Sequence, residues 1–316
     1  MRSPLGLLLG GACLVVILAG LKAASALLVP LAFSAFLAII VTPLVFWLLR
    51  RRVPVVMAVL LVVLLVLVAL SALAGVVGGS VNSLVAAAPR YAERFNALVD
   101  AIAGWLAVRG LELSNARIRG LMDPTAAIGL VGGTVSQIAS MLSDTLLVLL
   151  TVVFMLFEIT VLPSKLRAAF GDTKADLSRY AKIITEINQY VVIKTYISLG
   201  TGVLVWLMLS MLGVDFALLW GLTAFLLNFI PNIGSIVAAV PPVLLALVQH
   251  GVARSLITLS GFVVINMVIG NMVEPRVMGR RLGLSTLVVF LSLLVWGWLW
   301  GGMGMLLSVP LTMILK

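Results

Sequence analysis

Apolar runs separated by short, mostly basic breaks occupy most of this chain, and their lengths predict helices that cross a bilayer. A helix needs roughly 20 apolar residues to span about 30 Å of hydrocarbon. Runs of about that length cover residues 5–21, 26–49, 55–77, 145–162, 196–212 and 256–273. The pattern predicts an all-α polytopic membrane protein with about six full spans. Arg2, an apolar run and Ala24-Ser25-Ala26 resemble a signal peptide, but a second apolar run comes at once, so an uncleaved first span is expected.

Two further apolar stretches are broken in the middle. Residues 216–248 are interrupted by Asn228-Phe229-Ile230-Pro231-Asn232-Ile233-Gly234, and residues 287–315 by the glycines between Gly297 and Gly304. Basic clusters at Arg50–Arg52, between Lys165 and Lys194, and at Arg276–Arg281 mark cytoplasmic ends, which puts the N-terminus in the cytoplasm as well. The 216–248 stretch must then begin and end on the outside. It is long for one crossing, and each half is short for a full one. A helical hairpin that turns back near Pro231 satisfies both conditions. The last stretch can likewise enter from the cytoplasm and turn near Gly301-Gly302. Paired, interrupted apolar segments are the sequence mark of a transporter's binding site. Two long, tilted or kinked spans are the alternative.

Residues 80–143 regain charge, and Tyr91, Phe95, Leu98, Ile102 and Trp105 recur at helical spacing, which predicts an amphipathic helix in an extramembrane or interfacial segment. The chain therefore divides into spans one to three (1–79), that segment (80–143), a fourth span (144–163) ending at Pro163, a cytoplasmic basic connector (164–194), and a C-terminal transport core (195–316) with broken hairpins over 216–249 and 286–316.

Composition agrees with this pattern. Of 316 residues, 63% are hydrophobic and 10% charged, against about a quarter charged in soluble domains. The net charge of +10 sits in loops beside apolar spans, so it reads as topology and not as a nucleic-acid surface. A single cysteine, Cys13, and a single histidine, His250, exclude an internal disulfide and a Cys/His metal cluster. No phosphate-binding Gly-Lys-Ser/Thr loop, nucleophile elbow or paired catalytic acid is present, so no enzyme activity, metal or cofactor is expected.

The candidate chemistry lies in the core. Pro231 and Gly234 open the backbone, and Asn228 and Asn232 offer amides either to that backbone or to a polar solute. Asn266 is interhelical glue or a solute ligand. Asn271 and Glu274 stand three residues apart, which predicts one helix face. Glu274 near hydrocarbon requires a partner, for which Arg276, Arg280 or Arg281 are the candidates, as a clamp or a gate. Glu158 has Lys165 as its candidate partner, and Asp215 is placed to cap the first hairpin helix. Gly297, Gly301, Gly302 and Gly304 are hinge candidates.

Asn228 to Gly234, Glu274-Pro275-Arg276-Val277-Met278-Gly279, Gly283-Leu284-Ser285 and the tail with Trp296-Gly297 and Gly301-Gly302-Met303-Gly304 resemble the signature of the autoinducer-2 exporter family. The resemblance implies a homo-oligomeric permease of the bacterial inner membrane whose partners are the lipid bilayer and a small-molecule solute. It implies export of the quorum-sensing furanone autoinducer-2, with sodium–proton exchange associated with some relatives. Span centres carrying amides, hydroxyls and glycines favour an uncharged passenger over a cation exchanged for a proton. A scaffold without transport would not require opposed broken hairpins.

Overall fold

The computed structural model describes residues 4–108, 145–170, 174–231, 233–278 and 285–315, and every regular element among them is helical. In chain order these are α1 (Pro4–Ala23), α2 (Ser25–Arg50), α3 (Val55–Val108), α4 (Thr145–Phe170), α5 (Lys174–Leu212), α6 (Ala217–Leu227) and α7 (Ile233–His250). Next, α8 (Val252–Asn266) runs through a π-helical segment, Met267–Val273, into α9 (Glu274–Met278), and α10 (Thr286–Leu315) comes last. The protein is an all-α, polytopic membrane protein.

Among the described residues, six helical stretches are long and apolar enough to cross a membrane: Ser25–Arg50, Val55–Ala87, Thr185–Leu212, Ile233–His250, Val252–Val277 and Leu287–Leu315. The set differs from the six expected spans. Two of its members belong to the broken stretches, whereas α1 and α4 contribute shorter apolar runs, Leu9–Ala23 and Leu147–Val161.

Several expected boundaries are absent because a helix satisfies its own backbone and needs no apolar sequence to continue. α3 is unbroken over 54 residues, roughly 80 Å. Gly75, Gly78 and Gly79 lie inside it, and the expected amphipathic helix is its continuation, with Tyr91 and Val99 buried. The rest of the 80–143 segment, from residue 109, lies outside the described residues, as do the side chains of Leu98, Ile102 and Trp105. The helix of the fourth span runs on past Pro163 to Phe170, although its apolar run ends at Val161, and the basic connector is shared between α4 and α5. α2 does end at the arginine triplet. Arg52, left-handed at φ 63°, closes it with the Val53-to-Leu48 and Arg52-to-Leu49 hydrogen bonds of a Schellman motif.

Three apolar clusters hold the helices together. α2, the start of α3 and α4 share Val45, Val59, Val62, Val152 and Leu156. The far half of α3 packs on α5, α6 and α7 through Leu84, Tyr91, Leu209, Trp220 and Ala246. The third cluster joins α2, α5, the turn after α6 and the end of α10, through Phe36, Val191, Ile197, Phe229, Leu307 and Met313. Outward-facing Leu60, Leu64, Val68, Ile236 and Val263 are exposed, as suits helices whose solvent is lipid.

Both broken stretches fold back on themselves. Gly213 (φ 70°) ends α5 in a second Schellman motif, with Val214 bonded to Leu209 and Gly213 to Ser210. The Asp215 amide then donates to Gln249 Oε1 (3.1 Å), and His250 Nε2 lies 2.9 Å from the Gly213 carbonyl. The start and end of this stretch therefore meet. α6, with 11 residues, rises only about 16 Å before the turn, near half the hydrocarbon thickness. It lies tight against α5, because Gly202 and Gly221 face each other with no room for a Cβ on either. In α10 the helix breaks at Trp300 (φ −127°, ψ 15°) and Gly301 (φ 62°, ψ −143°). Trp296 Nε1 donates to Thr312 Oγ1 at 3.1 Å. Sixteen residues along a straight helix would lie about 24 Å apart, so the two halves of α10 are antiparallel arms.

Candidate functional site

The first hairpin turns after α6, at Asn228–Pro231. Ile230 N–H donates to the Leu227 carbonyl, Ile233 to Pro231 and Gly234 to Ile230. A Cβ on Gly234 would collide with the Leu227 carbonyl, so only glycine lets the returning helix start there. Asn228 is buried at this turn and its Nδ2 donates to Ser198 Oγ on α5 at 3.0 Å. Phe229 beside it meets Phe36 of α2 and Phe225 edge-on, with centroids 5.5 and 5.7 Å apart, which fixes the turn against the bundle.

Asn228 and Asn266, 38 positions apart in sequence, line one recess together with Thr201, Ser235 and Gly270, against a wall of Val205, Ala224 and Phe262. Its polar lining is amide and hydroxyl. The recess holds about 10 Å³, space for one water-sized sphere. Any solute larger than water therefore requires the recess to open. A groove of about 310 Å³ between α7 and α8 shares Ser235, Phe262 and Asn266 with it and is otherwise apolar.

The remaining candidates are dispersed. Pro231 forms part of the turn, whereas Asn232 lies outside the described residues. The expected common face of Asn271 and Glu274 does not form: Asn271 is exposed, while Glu274 turns inward against α5. The π-helical turn between Met267 and Val273 accounts for this, since its extra residue rotates the downstream positions relative to an α-helix.

Glu274 is not paired with Arg276, which is exposed, and Arg280 and Arg281 lie outside the described residues. Its partner is Lys194 of α5, with Nζ to Oε1 2.6 Å and side chains 3% and 23% exposed. Sequence reasoning places Lys194 in a cytoplasmic connector and misses the pair, because 80 residues separate the two. Glu158 does bond Lys165, at 3.0 Å and on the surface.

At the hairpin's other end, Asp215 does not cap α6, whose N-cap is Phe216 in the left-handed region. Its Oδ2 accepts from Tyr91 Oη (2.7 Å) and Gln249 Nε2 (2.6 Å), and Gln249 Nε2 also reaches Tyr91 Oη at 3.1 Å. Arg94 donates to the Gln249 carbonyl. Burial, then the bond to the Asp215 carboxylate, pushes the Tyr91 phenol up to about 12. The base of the first hairpin is thereby tied to α3.

In the second hairpin, a Cβ on Gly304 would strike the Trp296 carbonyl, and Gly297 faces Met305 of the opposite arm. Gly301 supplies the positive φ of the turn, and Gly302 comes next on the exposed side. Trp300 Nε1 donates to the Leu21 carbonyl, and Lys22 stacks over Trp298, so the turn rests against the end of α1.

The sequence profile described as AI-2E family transporter matches residues 12–316. The AI-2 transport protein TqsA of Escherichia coli K12 is 43% identical over 303 residues, covering 96% of this chain and 88% of TqsA. The putative transport protein YhhT of the same organism is 41% identical over 315 residues, covering 100% of this chain and 90% of YhhT. A putative transport protein of Haemophilus influenzae is 39% identical, covering 98% of this chain and 90% of the relative. With these matches running along its length, the chain belongs to the AI-2E transporter family, whose members are membrane transport proteins and not enzymes.

Proposed function

We propose that this protein exports a small, uncharged polar solute across the bacterial inner membrane, and that the solute is autoinducer-2. The observation that carries the reading is the recess at the first hairpin turn, where Asn228, Asn266, Ser235 and Thr201 converge without an ionisable side chain. Amides and hydroxyls both donate and accept, as a hydroxylated furanone requires. A charged passenger would leave its charge unpaired in a low-dielectric site. The AI-2 transport activity in the name of the 43% identical TqsA supports the same solute.

In this reading the two hairpins enter from opposite faces of the membrane and expose opened backbone only toward protein or a wet cavity. Exposed Asn271, among exposed Met267, Val268 and Met272, suits contact with a second copy of the chain, since a lipid-facing amide gains from an interhelical partner.

Proteoliposomes loaded with autoinducer-2 test the proposal. Efflux through the purified protein is expected, with a marked loss for Asn228→Leu and Asn266→Leu in protein that still inserts. Efflux equal to that of empty liposomes removes the export reading. Sodium-driven proton movement in the same vesicles would replace it with cation exchange.

A further inference from the structure

We propose that the Lys194–Glu274 pair is a proton-operated latch that closes the recess toward the α9 end of the bundle, an inference that rests on the recess being the solute site. Two chains of contact join the pair to the recess. On α5, Lys194, Ser198 and Thr201 succeed one another at four- and three-residue steps, so they stack on one face. Ser198 holds the Asn228 amide, and Thr201 lines the recess. On the facing helix, Asn266 and Gly270 line the same recess, and the π-helical segment leads from them directly to Glu274. The ion pair thus pins together, just beyond the recess, the two helices that wall it.

The chemistry of the pair fits a switch better than a rivet. Lys194 is 3% exposed, and a buried ion pair contributes little net stability over apolar packing, so its presence needs another reason. Ionisable groups inside a bilayer are costly and mark proton or solute paths. Among the described residues the electrostatics around it are sparse. Tyr190 is buried one turn from Lys194, and Arg276 on α9 is exposed. Of the other helices packed on α5, α6 and α10 carry no charged residue, α2 carries only Arg50 at its end, α8 carries only Arg254 near its start, and α3 carries Arg90, Glu93, Arg94 and Asp100 in its far half, while α5 itself adds Glu186 about two turns before Lys194.

The step is simple. One proton from water adds to the Glu274 carboxylate and leaves a neutral acid. A neutral Glu274 no longer attracts the Lys194 ammonium, which favours separation of α5 from α9 and entry of water. When Glu274 gives the proton back to water, the pair re-forms and the latch closes.

Thiol labelling tests this without any solute. In a Cys13→Ser, Thr201→Cys background, an impermeant maleimide reaches the recess only when the latch is open. Labelling, normalised to a surface cysteine, is expected to rise several-fold from neutral buffer to buffer acidic enough to protonate a carboxylate. Glu274→Gln should label fast at both. The charge-free Lys194→Met/Glu274→Leu variant, which leaves no orphaned charge, should label at one rate throughout. Labelling that ignores pH in the paired protein, or tracks pH equally in the charge-free variant, overturns the latch. In vesicles, a pH gradient should stimulate autoinducer-2 efflux through the paired protein only. If neither protein moves the solute, the export reading fails while the labelling result still decides the latch.

Discussion

The two hairpins reach the same topology by different chemistry. The first is made of separate helices, α6 and α7, joined by a turn whose described residues all have negative φ, and that turn carries a buried amide into a recess. The second is a single helical run bent at two residues, Trp300 and Gly301, with tryptophans and Met305 between its arms. The apolar residues of its returning arm, Leu307, Val309 and Met313, form a wall against Phe229 of the first turn. In our reading the first hairpin recognises and the second supports. In both, a glycine (Gly234 or Gly304) is pressed against a backbone carbonyl seven or eight residues earlier in the chain. That shared feature is what lets two antiparallel helices come so close.

The largest expected effect strikes the shared feature. Gly234→Val and Gly304→Val each force a side chain into backbone that cannot yield, and each is expected to cost about 3 kcal/mol or more. Thermal melting of the purified protein in detergent measures this. If one hairpin tolerates valine and the other does not, the equivalence of the two turns is broken.

The turns themselves are legible in sequence because a proline or a glycine cluster inside an apolar run has few other uses. The features that the sequence conceals have physical causes. Gly75, Gly78 and Gly79 look like an ending, yet glycine only weakens a helix, and α3 has packing on both sides of them. The Asn271–Glu274 spacing assumes 3.6 residues per turn, and no composition signal announces a π-helical segment. Asp215 stands where a cap belongs, but Tyr91 and Gln249, 124 and 34 residues away, compete for its carboxylate. Lys194 reads as the end of a basic connector because Lys165, Arg167, Lys174, Arg179 and Lys182 precede it, although the residues beside it, in sequence and in space, are apolar. Local rules find the elements, and long-range pairings set the partners.

The next test separates the turns. Gly301→Ala places a side chain at φ 62°, ψ −143° in open space, so it meets backbone strain without a clash and is expected to cost about 1–3 kcal/mol. Pro231→Ala removes a ring from a turn with no left-handed described residue and is expected to cost under about 1 kcal/mol. Melting compares the two directly, and a reversed order would mean that the first turn is the strained one.

Recognition and support should also part in transport assays. Asn228→Leu leaves Ser198 without its donor and takes an amide from the recess, at about 1–3 kcal/mol, and efflux is expected to fall about tenfold or more. Trp296→Phe removes one hydrogen bond between the arms of the second hairpin, at about 1 kcal/mol, with efflux near the unmodified rate. Equal losses of efflux would erase the division of roles.

The smallest effect concerns the base of the first hairpin, where Tyr91→Phe should lower stability by about 1 kcal/mol or less, since Gln249 still holds Asp215. The pH dependence of this tie has a definite sign. The phenol is raised in the folded protein from 10.0 to about 12, so the native state keeps a proton that the unfolded chain has already lost between those values. Its contribution is complete below about pH 10 and declines as pH rises toward 12. Melting curves of the tyrosine and phenylalanine proteins should therefore stay parallel through neutral pH and converge only in strong alkali. Convergence near neutrality would mean that the phenol's proton does not control how α3 grips the hairpin.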